Sequence, residues 1–228
     1  MSAGGRPPVA AVVFDMDGVL LQSEELWDDV RRELAHETGA RWTPGAHREM
    51  MGMSTPGWTA HMHRALGVPL APEAIRDEVV ARLSARYRRA LPLVPGAAAA
   101  VRRMAGRFPL AVASSSDRAL IGLVLELAGL APYVRTWVAS EEVTRGKPAP
   151  DVHHEAARRL GVEPARCAAV EDSTAGLRAA AAAGMRVVAI PDRAYPPDPA
   201  AVAAADLVLT SVRGLTPDLL EGPPGASR

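Results

Sequence analysis

The chain has 228 residues with 26 basic and 26 acidic side chains, so it fits one large domain or a core with a smaller insert and shows no electrostatic footprint for nucleic acid. No stretch of eighteen uninterrupted apolar residues offers a membrane span. Cys167 is the single cysteine, which excludes an intrachain disulfide, and at the start of an apolar run it reads as a small buried hydrophobe.

Residues 1–8 lack the apolar core of a signal peptide, so the expected compartment is the cytoplasm, with flexible termini at 1–8 and 223–228. Val9–Phe14 is a continuous apolar run, the pattern of a strand buried on both faces of a parallel sheet. It leads into Asp15, Asp17 and Gly18. In extended backbone, residues two apart share a face, so both carboxylates can reach one cleft, and Gly18 permits a tight turn. Two acids held together suit a divalent cation such as Mg²⁺, and one of them can attack phosphorus. A plain polar turn explains Asp-x-Asp-Gly about as well when it is taken alone.

Helical patterns follow at Glu24–Thr38, Pro56–Leu66 and Pro72–Ala90, and the chain breaks at Leu93–Gly96. A strand–helix–strand unit needs only about 30 residues or somewhat more, far fewer than separate Asp17 from the next strand. Residues 22–91 therefore read as an inserted helical cap, with hinges near Leu21–Glu24 and Leu91–Pro95. His61 and His63 are two apart on a helix and do not face each other, so they are expected on a solvated surface.

After a helix at Ala97–Gly106, the strand Leu110–Ala113 ends in Ser114, Ser115, Ser116 and Asp117. Hydroxyls there can bond a phosphate, and the helix Arg118–Ala128, capped by Asp117, turns its N–H groups to the same place. A strand at Thr136–Ala139 precedes Lys147, held between Gly146 and Pro148 in a stiff loop. Its ammonium is a point charge suited to a phosphate. The helix Asp151–Leu160 and the strand Ala168–Val170 come next, and that strand ends in Glu171, Asp172 and Ser173. Adjacent acids repel without a counter-ion, which favours a cation, although Asp172 or Ser173 can also cap the helix Thr174–Ala183. Strands at Val187–Ile190 and Leu207–Leu209 complete the pattern.

This alternation predicts an α/β fold, a Rossmann-like parallel sheet with helices on both faces. The core would comprise residues 9–21 and 92–222, with the cap between them. All four polar stations then lie at the carboxyl ends of parallel strands, where open α/β sheets bind ligands.

These motifs, Phe14-Asp15-Met16-Asp17-Gly18, Ser114, Gly146-Lys147-Pro148 and Glu171-Asp172-Ser173, resemble in order those of the haloacid dehalogenase-like phosphohydrolase superfamily, and most closely its phosphatase and β-phosphoglucomutase-like branch. The resemblance implies that Asp15 is the nucleophile forming an aspartyl-phosphate. Asp17 would be the general acid and base and would give Mg²⁺ its backbone carbonyl. Ser114, with Ser115 beside it, and Lys147 would hold the phosphoryl group, and Asp172 and Glu171 would complete the metal site. It also implies a small phosphorylated metabolite as substrate, a sugar phosphate or a phosphoglycolate-like compound, handled by a monomer or weak homodimer.

Two departures favour hydrolysis over mutase chemistry. Trp27 stands where the sugar-phosphate mutases of the branch carry a histidine, and the stretch Gly52–Gly57 lacks their arginine. Trp27, Met53, Ser54, Thr55 and Trp58 are the candidate substrate readers of the cap, although the two tryptophans read equally well as cap core. A mutase, or a non-catalytic phosphate or metal binder, is the alternative, and both Asp15 and Asp17 being present argues against the latter.

Overall fold

The computed structural model describes residues 6–221. Six parallel strands form one sheet in the order β3-β2-β1-β4-β5-β6. They are β1 Ala11–Phe14, β2 Leu110–Ser114, β3 Thr136–Ala139, β4 Cys167–Glu171, β5 Arg186–Ala189 and β6 Leu207–Val208. This is the doubly wound order, and its chain direction reverses beside β1, the switch point at which such sheets bind ligands.

Among the described residues ten α-helices accompany the sheet: α1 Glu24–Glu37, α2 Ala46–Met50, α3 Thr55–Arg64, α4 Pro72–Arg89, α5 Ala97–Ala105, α6 Arg118–Leu127, α7 Asp151–Leu160, α8 Thr174–Ala182, α9 Pro199–Ala203 and α10 Pro217–Glu221. The strands and long helices fall where the sequence places them, to within two residues at each end. The short helices α2, α9 and α10 have no counterpart in the expectations, because one turn and a half gives too little periodicity to see.

Alternation along each strand sorts the core. Val12, Phe14, Val112 and Val170 point to one side, against Val101 and Met104 of α5 and Leu120, Ile121 and Val124 of α6. Ala11, Val13, Ala111 and Ala169 point to the other, against Val152 and Ala156 of α7 and Leu177 of α8. Both faces are apolar because both are covered, which is why the strands read as unbroken hydrophobic runs. Cys167 is buried in the second layer, as expected.

Helices α1 to α4 lie in sequence between β1 and β2. Trp27, Val30 and Leu34 of α1 join Trp58 and Met62 of α3 and Val79, Leu83 and Tyr87 of α4 in one apolar cluster. The two crossings between these helices and the sheet run side by side. Gln22 N donates to Pro92 O at 2.8 Å, Val94 N donates to Leu20 O at 2.9 Å, and Leu21 bridges Leu93 antiparallel. His63 is exposed, as expected, but His61 is half-buried, with Nε2 3.2 Å from Glu49 Oε2. The solvated-surface expectation therefore fails for His61, because α2, unseen in the sequence, supplies the facing acid.

Most of the expected flexible termini lies outside the described residues. Within them, Arg6 pairs with Asp206 at 2.5 Å and Pro8 O accepts from Arg166 Nε at 3.4 Å.

Candidate active site

The four polar stations converge at the carboxyl ends of β1, β2 and β4, around a cleft of about 590 Å³ lined by Asp15, Asp17, Ser114, Ser115, Lys147 and Asp172. Gly18, at φ 85°, makes the close approach possible: a Cβ there would lie 1.8 Å from Asp172 Oδ2. Glycine is required at this turn on both grounds, the backbone angle and the contact.

Lys147 sits at the centre of the buried side. Its Nζ donates to Asp15 Oδ1 at 2.8 Å, to Glu171 Oε1 at 2.8 Å and to Ala113 O at 3.0 Å. All three ammonium hydrogens therefore have protein acceptors, and a phosphate contact would replace one of them. The Lys147–Pro148 peptide in this loop is cis. Burial draws the ammonium downward, but Asp15 and Glu171 outweigh it and hold its pKa above the usual lysine range.

Asp15, Glu171 and Asp172 each bring one oxygen to within 4.8 Å of the others. Burial pushes Asp15 up to about 8, partly offset by Lys147, while the charges of Glu171 and Asp17 add to the rise. Asp172 rises well above the usual carboxylate range through burial and the neighbouring Asp15 and Glu171. Glu171 is lowered: burial opposes ionisation there, yet Lys147 and His153 prevail. Glu171 Oε2 and Asp172 Oδ1 are buried without a hydrogen-bond partner. A set of converging acids with orphaned oxygens and only oxygen donors fits a hard divalent cation. Ser173, not Asp172, caps α8, accepting from Gly176 N at 3.1 Å, so both acids are free of that duty.

Asp17 is held quite differently. Oδ1 accepts from Ser23 Oγ at 2.5 Å and Trp27 Nε1 at 3.3 Å; Oδ2 accepts from Ser116 Oγ at 2.6 Å and Ser114 Oγ at 3.3 Å. Four donors from two segments, 23–27 and 114–116, fix its rotamer at the cleft, outside the set of converging acids. Ser114, buried on the same side, also accepts from Ser116 N at 3.0 Å. Ser115 Oγ reaches Gly52 O at 3.4 Å, tying the end of β2 to the turn after α2. Asp117 caps α6 as expected, with Oδ1 2.8 Å from Ala119 N, and its Oδ2 takes Arg76 of α4 at 2.7 Å.

Of the expected cap readers, Trp27, Met53 and Trp58 line the cleft. Ser54 and Thr55 do not. Ser54 precedes α3 and packs toward Gly146, and Thr55 is buried at the first turn, where its carbonyl accepts from Thr59 Oγ1. Glu24, Arg31, Arg48 and Arg178 also face the cleft without having been expected there, as Ser23 was not expected at Asp17; Ser116, expected only as one of the strand-end hydroxyls, bonds Asp17. The missing arginine at 52–57 therefore does not leave the cleft without cations beyond Lys147. The helical spacing held the clue: Glu24, Trp27 and Arg31 recur at three and four residues and share one face of α1. Burial lowers Arg31 to about 10, which leaves it charged at neutral pH. Glu24 is pushed up to about 7 by burial and the nearby Asp17, with Arg31 opposing.

A family model for haloacid dehalogenase-like hydrolases matches residues 9–184. The chain is 33% identical over 214 residues to hexitol phosphatase B of Escherichia coli K12, covering 91% of this chain and 95% of that protein. It is 29% identical over 205 residues, 89% of its length, to a bifunctional riboflavin kinase/FMN phosphatase of Arabidopsis thaliana, of which it spans 53%. Among solved structures, CbbY from Rhodobacter sphaeroides in complex with phosphate matches with a TM-score of 0.82 and 28% identity, over 91% of this chain and 96% of that one. The chain belongs to the haloacid dehalogenase-like hydrolase family. Its place there is in the phosphatase branch, among phosphoric monoester hydrolases.

Proposed function

We propose that this protein is a Mg²⁺-dependent phosphatase that hydrolyses a small phosphate monoester, a sugar phosphate or phosphoglycolate-like compound, through an aspartyl-phosphate. The observation that carries this reading is the division of labour at the end of β1. Asp15 touches Lys147 and the acid cluster, while Asp17, two residues on, is fixed apart by four donors.

Asp15, Glu171 and Asp172, with the Asp17 carbonyl, would hold the cation; when bound, it supplies positive charge against the phosphoryl oxygens. The chain's own residues do the rest. An Asp15 carboxylate oxygen attacks phosphorus and the ester oxygen departs. Asp17 gives that oxygen its proton, then takes one from the water that attacks the aspartyl-phosphate, and free phosphate leaves with Asp15 restored. Lys147 and Ser114 hold the transferred group in line, since phosphoryl transfer needs alignment and charge neutralisation above all.

Residues 22–91 act as the cap over this chemistry. The paired crossings Leu20–Gln22 and Pro92–Val94 are the hinge, and Met53, Trp27 and Trp58 meet the leaving group when the cap closes and excludes water. A screen of phosphate release from sugar phosphates, phosphoglycolate and nucleotides with Mg²⁺, run beside Asp15→Asn, tests the proposal. Wild-type release from at least one compound, lost in the folded variant, is expected. Equal release by both proteins would overturn it.

A further inference from the structure

Arg31 has no part in the hydrolytic scheme, yet it is only 5% exposed and faces the cleft. Its guanidinium carbon lies 4.4 Å from the ring centroid of Trp27 and 4.7 Å from that of Trp58, and the two indoles meet edge to face at 5.9 Å. These contacts fix the group in place without using its N–H donors. Nε is buried without a hydrogen-bond partner, and among the described residues no acid pairs with the group. The charges of Glu24, Asp17 and Asp28 lie near enough to favour the guanidinium, but their oxygens are engaged elsewhere and none bonds it. Glu24 and Asp28 face His47 at 3.6 and 3.7 Å, and Asp17 takes Ser23, Trp27, Ser114 and Ser116. Other arginines of the same helical region are paired, Arg82 with Glu37 and Arg86 with Glu33.

A buried charge without a hydrogen-bonded partner is costly, so a fold that retains one has a use for it elsewhere. The cleft shows where. Trp27 links the two sites: its indole N–H meets Asp17 at 3.3 Å and its ring carries Arg31. One indole thus separates the acid that serves the leaving group from an unpaired guanidinium.

We propose that Arg31 is the seat for a second oxyanion of the substrate, a carboxylate or phosphate borne by the leaving group a few bonds from the scissile ester. This rests on the phosphatase reading and narrows its substrate class. A neutral polyol phosphate would leave the guanidinium unpaired in a closed cleft, and a site built around a charged donor discriminates against ligands that lack the acceptor.

The test compares non-hydrolysable ligands by calorimetry in excess Mg²⁺. The probes are phosphonoacetate for the carboxylate source, propane-1,3-bisphosphonate for the phosphate source, and 2-hydroxyethylphosphonate, whose second group is an uncharged hydroxyl, as the control. Wild type should bind one of the probes with a second anionic group at least about tenfold more tightly than the control, and the better of the two identifies the source. Arg31→Gln should erase the preference and Arg31→Lys should keep part of it. Equal wild-type affinities, or a preference that survives in Arg31→Gln, would overturn the seat. If Arg31→Gln does not fold, the wild-type comparison and Arg31→Lys still decide. Binding needs no turnover, so absent hydrolysis would reject the phosphatase reading separately, and hydrolysis without any preference for the second charge would reject the seat alone.

Discussion

Lys147 Nζ stands 2.8 Å from Asp15 Oδ1, with its other hydrogens on Glu171 and Ala113 O. The lysine thus joins the proposed nucleophile at the end of β1 to the acid that ends β4, although 132 residues separate it from Asp15. In this buried setting the ammonium offsets the charge of two carboxylates, and a third acid, Asp172, remains without such a partner.

Asp15→Asn is expected to lower phosphate release by roughly a thousandfold or more, as loss of an acting nucleophile does. The fold should persist, because an amide oxygen can still accept from Lys147 and one buried charge is removed. Circular dichroism and thermal melting beside the phosphate assay check both parts. A folded variant with wild-type turnover would rule out the nucleophile assignment.

Mg²⁺ should bind and stabilise the protein more strongly as pH rises. Asp15 has its pKa pushed up to about 8 by burial, Lys147 notwithstanding, against 3.8 ordinarily. Without metal, the folded state then holds a proton that the unfolded chain has lost, so stability falls as pH rises through this window, from about 4 to about 8. A cation replaces that proton. The gain in melting temperature on adding Mg²⁺ should be larger near about pH 8 than near about pH 6, with the apparent Kd for Mg²⁺ falling in step, and chelator should abolish activity. A pH-independent gain would contradict the cluster's role.

Ser116→Ala removes the 2.6 Å bond to Asp17 Oδ2 while leaving Ser114 in place. With Asp17 less firmly placed, kcat should drop about tenfold with little change in KM, the loss expected when one charge-assisted hydrogen bond is removed. Steady-state kinetics at saturating substrate read this directly. A change confined to KM would place Ser116 in substrate binding instead.

With β-glucose 1-phosphate and a bisphosphate primer, the product should be free phosphate, if any forms. Trp27 commits its indole N–H to Asp17 at 3.3 Å and, unlike the histidine that the mutases of the branch carry at this position, offers no acid–base group of its own. Accumulation of glucose 6-phosphate, followed by a coupled dehydrogenase assay, would reverse the assignment.

Met53→Ala should alter the ranking of kcat/KM among phosphate esters, because Met53 lines the cleft. Thr55→Ala should leave that ranking alone, since Thr55 is turned into the first turn of α3. Parallel kinetics on a small set of esters distinguishes the two. Identical rankings in Met53→Ala and wild type would move specificity elsewhere in the cleft.

Strand and helix order, the α/β class and the residues of the four stations were legible in the amino-acid sequence by itself. Buried parallel strands leave unbroken apolar runs, and strand ends followed by helix caps leave Asp, Ser and Gly at fixed offsets, as at Asp15-Met16-Asp17-Gly18 and Glu171-Asp172-Ser173. What only the tertiary structure decided is which partners each side chain meets. Nothing local announces that Ser23 and Ser116 close on Asp17, that His153 lies 3.0 Å from Glu171, or that Thr55 faces inward while Arg31 faces the cleft. Those outcomes depend on contacts between segments far apart in the chain, and the physical reason is burial. A carboxylate or guanidinium acquires its role from the neighbours that replace water around it, and those neighbours are chosen by packing rather than by sequence spacing.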